Sequence, residues 1–211
     1  MNTEKRNFDT AAAAWDEKPR RIQLTKDIAE AIRQEIKLNS SMDVVDFGCG
    51  TGLVTLRLQP FVHSITGVDS SSGMLDVLKS KIKNQNLSNA KTRLIDIDRG
   101  DKLEGKYHLV TSAMTMHHIK DVGSLLKQFY ETLLPAGHIC IADLDLDGGR
   151  FHDDNTGVFH NGFDRAVMRK MFEGAGFEDV RSRTAATVRK KSSGGAISEF
   201  TVFLVCGRKG R

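Results

Sequence analysis

Proline is scarce here (3 in 211 residues), and so are cysteine (3), tryptophan (1) and tyrosine (2). Three prolines exclude a polyproline spacer or a proline-rich recognition segment. The cysteines, Cys49, Cys140 and Cys206, are odd in number and far apart. They form no CxxC pair and no zinc spacing, which excludes a disulfide scaffold and suggests reduced thiols in a cytoplasmic protein. No stretch approaches the roughly 20 apolar residues that cross a bilayer. The opening MNTEKRNFDT is charged, and Ala11–Trp15 is too short for the apolar region of a secretory signal, so no membrane partner is expected. Charge of one sign is also in short supply: 31 Lys and Arg against 27 Asp and Glu leave a net +4. The basic groups Arg189-Lys190-Lys191 and Arg208-Lys209-Gly210-Arg211 look like a solvated loop and tail. No basic face is interleaved with aromatics, which argues against a nucleic-acid partner.

What remains is ordinary globular material, 39% hydrophobic and 27% charged. The length suits one domain with a core that needs neither disulfide nor metal. Leu24, Ile28, Ile32 and Ile36 recur every four residues and predict a helix over 22–38. Apolar runs at 42–47, 64–69, 92–95, 107–113 and 138–144 predict five strands. Between them lie helical patterns: Leu53 to Leu58 stopped by Pro60, Met74 to Ile82 capped by Ser70 or Ser71, and Leu125 to Leu134 stopped by Pro135. Alternating strands and helices imply a parallel sheet with crossover helices. A helix over 163–175 follows. Two strands, 180–188 and 197–206, are joined by the short segment 190–195, which favours an antiparallel hairpin.

The informative stretch is Val44-Val45-Asp46-Phe47-Gly48-Cys49-Gly50-Thr51-Gly52. A strand feeding a glycine turn and then a helix is a nucleotide-binding arrangement, because glycine permits a tight turn and close approach of backbone to ligand. Asp69 ends the next strand, where a carboxylate can accept from both ribose hydroxyls. The nicotinamide fingerprint G-x-G-x-x-G does not fit, since Leu53 stands where its third glycine belongs.

This stretch resembles motif one of the class I S-adenosylmethionine-dependent methyltransferases. The resemblance continues through Gly67-Val68-Asp69-Ser70-Ser71-Ser72-Gly73-Met74-Leu75, Ile95-Asp96-Ile97-Asp98 and Tyr107-His108-Leu109-Val110-Thr111-Ser112. It closes on Leu133-Leu134-Pro135-Ala136-Gly137, with Ala136 in place of the first glycine of an L-x-P-G-G lead, and covers about residues 40–206. It implies a Rossmann-like, doubly wound α/β fold whose seven-stranded sheet is mostly parallel with one antiparallel strand near the C-terminus. It implies S-adenosyl-L-methionine as cofactor. Asp46, Gly48, Cys49, Gly50 and Gly52 would lie against its methionine part, Asp69 and Ser70 on the ribose side, and Met74 near the adenine. Asp96 with the backbone of Ile97 would meet the adenine amino group, and Ala113 and Met114 would flank the sulfonium. From the residues alone, Asp46 also fits a turn cap, Met74 plain core, and Asp98 the role given to Asp96.

Candidate bases are His117 and His118 past the fourth strand, and His152 and His160 past the fifth; adjacent histidines are expected to point opposite ways, so that one faces the site. We take His117, His152 and His160 as the catalytic candidates. His152, Asp153, Asp154 and His160 match no zinc spacing, so no metal is expected. Segment 147–163 reads as a substrate lid, 1–40 as a helical cap, 42–146 as the cofactor-binding core and 164–211 as a terminal helix and hairpin. Ser112-Ala113-Met114-Thr115 lacks the (Asp/Asn)-Pro-Pro-aromatic signature of enzymes that methylate nucleic-acid bases, which favours a small-molecule acceptor. A non-catalytic protein that binds the same cofactor is the alternative, and the chain is expected to be a monomer or homodimer.

Overall fold

A computed structural model describes residues 6–191 and 197–211. Its centre is one seven-stranded sheet. β1 (Asp43–Phe47), β2 (Ser64–Asp69), β3 (Ala90–Leu94), β4 (Tyr107–Ala113) and β5 (Leu133–Leu144) run parallel. β7 (Ile197–Arg208) lies antiparallel between β5 and β6 (Glu178–Lys191), giving the order β3-β2-β1-β4-β5-β7-β6. This is the doubly wound α/β sheet with one reversed strand that the sequence implied. The strand connecting segment expected at 190–195 lies outside the described residues from Ser192 onward.

Both faces of the sheet are covered, which explains why its strands are apolar runs rather than alternating ones. Successive side chains point to opposite faces. Val44, Leu109, Cys140 and Leu204 pack with Leu24, Ile28 and Ile32 of α1 (Pro19–Glu35). Their chain neighbours Val45, Val110, Ile141 and Val205 pack with Leu125 and Phe129 of α4 (Val122–Thr132) and Met168 and Phe172 of α5 (Arg165–Gly174). Each fully buried side chain of this kind contributes roughly 1.5–3 kcal/mol. The short α2 (Thr55–Leu58) passes into a 3-10 turn at Pro60, as expected. In α3 (Ser72–Asn84) the N-cap is Ser71, whose hydroxyl accepts from the Met74 amide at 3.1 Å.

Two boundaries differ from expectation. α4 ends at Thr132, and Leu133 already pairs with Tyr107 in β5. Pro135 disfavours helical geometry in the residue before it, so the chain extends ahead of the proline and joins the sheet. Ala136 then sits at φ +60°, a left-handed conformation that suits the glycine expected there and costs a non-glycine residue roughly 1–2 kcal/mol. At the other site, Phe163 pairs with Asp145 in an isolated bridge, and α5 begins only after Asp164, whose carboxylate caps the Ala166 and Val167 amides at 2.9 Å each.

All three cysteines are free thiols. Among the described residues, no helix is long and apolar enough to cross a membrane. The chain order reverses between β1 and β4, and in open α/β sheets ligands bind beyond the carboxyl ends of the strands at such a switch point.

Candidate active site

At that switch point β1 runs into the glycine turn. Gly48 and Gly52 have φ of +69° and +83°. A Cβ on Gly48 would lie 2.3 Å from Thr115 Oγ1, and one on Gly52 would lie 2.3 Å from Leu78 Cδ1. Both positions therefore demand glycine on conformational and steric grounds. The amides of Gly48 and Cys49 donate to the Val68 carbonyl at 2.7 and 3.0 Å, which ties the turn to the end of β2. Asp69 accepts from the Gly50 amide at 2.8 Å and, with its other oxygen, from the Ser71 amide at 2.9 Å. It thus links the turn to the start of α3.

A cavity of about 350 Å³ opens above these strand ends, within the size range of small-molecule sites. Asp46, Gly48, Cys49 and Gly50 line it from the turn. Asp69, Ser70 and Met74 line it from β2 and α3, and Asp96, Ile97, Ala113 and Met114 from the loops after β3 and β4. Asp98 lines it too, so the choice between Asp96 and Asp98 stays open. Gly52 does not reach the cavity; it packs on Leu78.

Asp46 is fully buried and accepts from Thr55 Oγ1 at 2.6 Å and Thr111 Oγ1 at 3.0 Å. Burial raises its pKa from 3.8 to about 6, because neutral hydroxyl partners only partly offset the lost hydration. The Cys49 thiol is likewise pushed up by burial and donates to the Gly50 carbonyl at 3.6 Å. Asp96 caps the 3-10 turn 97–99 by accepting from the Asp98 amide at 3.1 Å.

Beyond β4, Met114 takes φ +57°, a strained conformation for a side-chain-bearing residue. It redirects the chain into a 3-10 turn, Met116–His118, that carries two histidines over the cavity. His117 is 1% exposed, and its Nδ1 lies 2.7 Å from Oδ1 of Asp143, which is 0% exposed. Burial alone would raise the Asp143 carboxyl, but the charge and hydrogen bond of His117 more than offset it and hold it below the usual value. An ionised carboxylate only accepts, so Nδ1 of His117 donates in this bond, which turns Nε2 toward His152. That Nε2 is 3.1 Å from Nε2 of His152.

His118 also lines the cavity, with its ring centroid 4.1 Å from that of His117 and tilted by 47°. The expectation that adjacent histidines point opposite ways is therefore corrected. It holds in a strand, whereas three residues per turn rotate neighbours by only about 120°. Nδ1 of His118 donates to the Gly157 carbonyl at 2.7 Å. Burial first and His117 next lower the His118 pKa to about 3, and the same two causes lower His152 to about 4. His160 is not brought to the cavity. Its Nε2 donates to the Ile119 carbonyl at 2.8 Å, and its ring lies 5.0 Å from that of Phe163. Asp143 escaped the sequence reading. Its signal was a carboxylate inside the apolar run Ile139–Leu144, where burial demands a partner.

Residues 20–182 match the family of methyltransferase domains. The chain belongs to that family. A Schizosaccharomyces pombe protein named as an uncharacterized methyltransferase is 31% identical over 156 residues, 67% of this chain and 55% of that protein. A malonyl-[acyl-carrier protein] O-methyltransferase of Calditerrivibrio nitroreducens is 27% identical over 150 residues, 66% of this chain and 54% of the relative. The chain thus spans about half the length of these curated relatives. Phosphoethanolamine N-methyltransferase 2 of Haemonchus contortus, solved in complex with S-adenosyl-L-methionine, shares the fold with a TM-score of 0.70, over 87% of this chain and 52% of that one, at 16% identity.

In this member of the family two peripheral segments converge on the histidines. The Phe159 and His160 amides donate to the His117 carbonyl at 2.9 and 3.2 Å, pinning segment 147–163 to the 3-10 turn that carries His117 and His118. From the other side, the Phe8 ring meets His118 edge-on at 5.2 Å and Trp15 at 5.8 Å. Asp9 accepts from Ser71 Oγ at 2.6 Å and the Gly73 amide at 2.8 Å, holding the N-terminal segment to α3. Arg6, Lys18, Arg20, Arg21 and Lys190 also line this end of the cavity, with Arg21 stacked 3.6 Å above the Trp15 ring.

Proposed function

We propose that the chain transfers a methyl group from S-adenosylmethionine to a small-molecule acceptor, and that His117 and His152 meet the acceptor. The observation that carries this reading is the buried Asp143–His117 pair. It holds a lone-pair nitrogen toward the cavity beside Ala113 and Met114, at the end of β4.

The residues present suit the cofactor. The glycine turn keeps side chains out of the cavity floor, and Asp69 stands at its ribose side. Asp46 is a buried carboxylate whose partners, the Thr55 and Thr111 hydroxyls and the Thr55 backbone, are neutral, and its raised pKa marks an environment that a cationic ammonium would relieve. The Haemonchus complex supports the same cofactor by likeness of fold. When bound, S-adenosylmethionine supplies a methyl group on a sulfonium, whose departure leaves a neutral thioether and calls for no acid catalyst.

The chain's own residues then position the acceptor and take its proton. Alignment alone can contribute roughly 7–11 kcal/mol. A hydroxyl or protonated amine needs a base as well, and Nε2 of His117 is that atom, with Asp143 beside the imidazolium it becomes. His160 anchors the lid through Ile119 rather than acting as a base. Residues 6–40 form the described part of the cap and 147–163 the lid. Arg6, Lys18, Arg20, Arg21 and Lys190 outnumber Asp153, which pairs with Lys190 at 2.9 Å, and Asp154 in this part of the lining, which favours an acceptor carrying negative charge. The name of the Calditerrivibrio relative, an O-methyltransferase, supports oxygen as the methylated atom.

The test is a transfer assay with methyl-labelled S-adenosylmethionine against anionic hydroxylated metabolites, with bulk RNA and protein as parallel acceptors. Label should appear in one or a few small molecules. Label confined to RNA or protein would contradict the acceptor class.

A further inference from the structure

We propose that His117, His118 and His152 form a binding site for a divalent transition-metal ion of the zinc class, with one coordination position open to the cavity. One ring nitrogen of each lies within 4.8 Å of the other two. This carries the sequence reading into new ground, since that reading grouped His152 with His160 and found no metal spacing. The three histidines come from two segments 35 residues apart, so spacing along the chain does not show them together.

Two features distinguish this cluster from histidines that merely fill a core. The first is the support behind the rings. Metal-bound histidines characteristically donate their second ring N–H to a carboxylate or backbone carbonyl, which fixes the tautomer and aims the other nitrogen. Nδ1 of His117 donates to Asp143 at 2.7 Å, and Nδ1 of His118 donates to the Gly157 carbonyl at 2.7 Å. Both rings are left with Nε2 as the lone-pair atom.

The second is spacing. Two nitrogens bound to one tetrahedral zinc at 2.0–2.1 Å each stand about 3.3 Å apart. His117 Nε2 and His152 Nε2 are 3.1 Å apart, so little movement is needed to admit an ion between them. An all-imidazole set suits zinc, copper, nickel or iron rather than magnesium or calcium, which prefer oxygen.

Three protein ligands and an open fourth position define a catalytic rather than a structural zinc site. The use of the ion rests on the methyl-transfer reading; its binding does not. An acceptor hydroxyl bound at the open position loses its proton to solvent. Its oxygen then forms the new C–O bond as the S–CH3 bond breaks, and the electron pair stays on sulfur. In the occupied site the ion, not Nε2 of His117, acidifies the acceptor.

The experiment is a titration of the chelator-treated full chain with Co2+, read by visible absorption, followed by displacement with Zn2+. Wild type should take up one equivalent with a ligand-field band that Zn2+ abolishes. His152→Ala, altered in a loop outside the core, and His118→Ala should each weaken Co2+ binding at least tenfold, with thermal melts confirming that both fold. Absence of saturable Co2+ binding in wild type, or equal binding in both variants, overturns the site. If S-adenosylmethionine binds and methyl transfer proceeds after such a failure, the ion is refuted and the methyl-transfer reading stands. If Co2+ binds as described but no methyl transfer is found, the ion site stands without its assigned use.

Discussion

Replacing His117 with Ala lowers kcat for methyl transfer by roughly 10²–10⁴-fold, the usual loss when a positioned proton acceptor is removed. The effect should fall on kcat more than on cofactor affinity, because His117 contacts Asp143 and His152 rather than the glycine turn. Removing the ring also leaves the Asp143 carboxylate buried without its partner. A stability loss is therefore expected too, and the rate must be measured at a temperature where melts show the variant folded. His160→Ala loses a single hydrogen bond to the Ile119 carbonyl, worth about 1 kcal/mol, and keeps the proton acceptor in place. Steady-state kinetics on the two variants separate the roles. Equal kcat in wild type and His117→Ala would remove His117 from the chemistry.

Asp46→Asn should change how stability depends on pH. The folded pKa of Asp46, about 6, lies above its ordinary 3.8. The folded state therefore binds this proton more tightly than the unfolded state does. The stabilisation it confers is complete below about pH 3.8 and is lost as pH rises through about 6. The whole swing is about 3 kcal/mol, at 1.36 kcal/mol per pKa unit. Asn has no such titration. Urea unfolding of the ligand-free protein between pH 4 and 7.5 should show the difference between wild type and variant growing by about that amount in favour of the variant. A constant difference across the range would mean that Asp46 is ionised throughout.

How much was legible in the sequence follows from what each residue type has to do locally. β2 and β4 have the bounds expected of them, since each is an apolar run bracketed by residues that leave the sheet. The glycine turn was legible because two of its glycines have no alternative: φ and the nearby Thr115 and Leu78 side chains forbid a Cβ. The parallel run of β1 to β5 followed from strand and helix alternation, whereas the strand order is set by tertiary packing and is seen only in the fold.

Of the cavity lining, the residues at the strand ends and His117 and His152 were named from the sequence, whereas Asp143 behind His117 was not. Asp143 meets His117 because β4 and β5 are neighbours in register, with Ala113 opposite Ala142, a relation that no short motif encodes. His118 lines the cavity beside His117, against the expectation that adjacent histidines point opposite ways, because a 3-10 turn rotates neighbours by only about 120°. Lys190, expected in a solvated loop, lies instead in β6 with its side chain largely buried and lines the cavity with Arg6, Lys18, Arg20 and Arg21, a placement that follows from strand pairing rather than from local charge.

The central claim is that the glycine turn and Asp69 hold an adenosyl cofactor. Calorimetry of wild type and Asp69→Ala with S-adenosylmethionine, S-adenosylhomocysteine and NAD tests it most directly. Wild type should bind both adenosyl ligands one to one and give no heat with NAD. Asp69→Ala should bind the adenosyl ligands about 5–150-fold more weakly, the equivalent of losing roughly 1–3 kcal/mol when a charged hydrogen-bonding partner is removed. Binding of NAD with no heat from either adenosyl ligand would contradict the account.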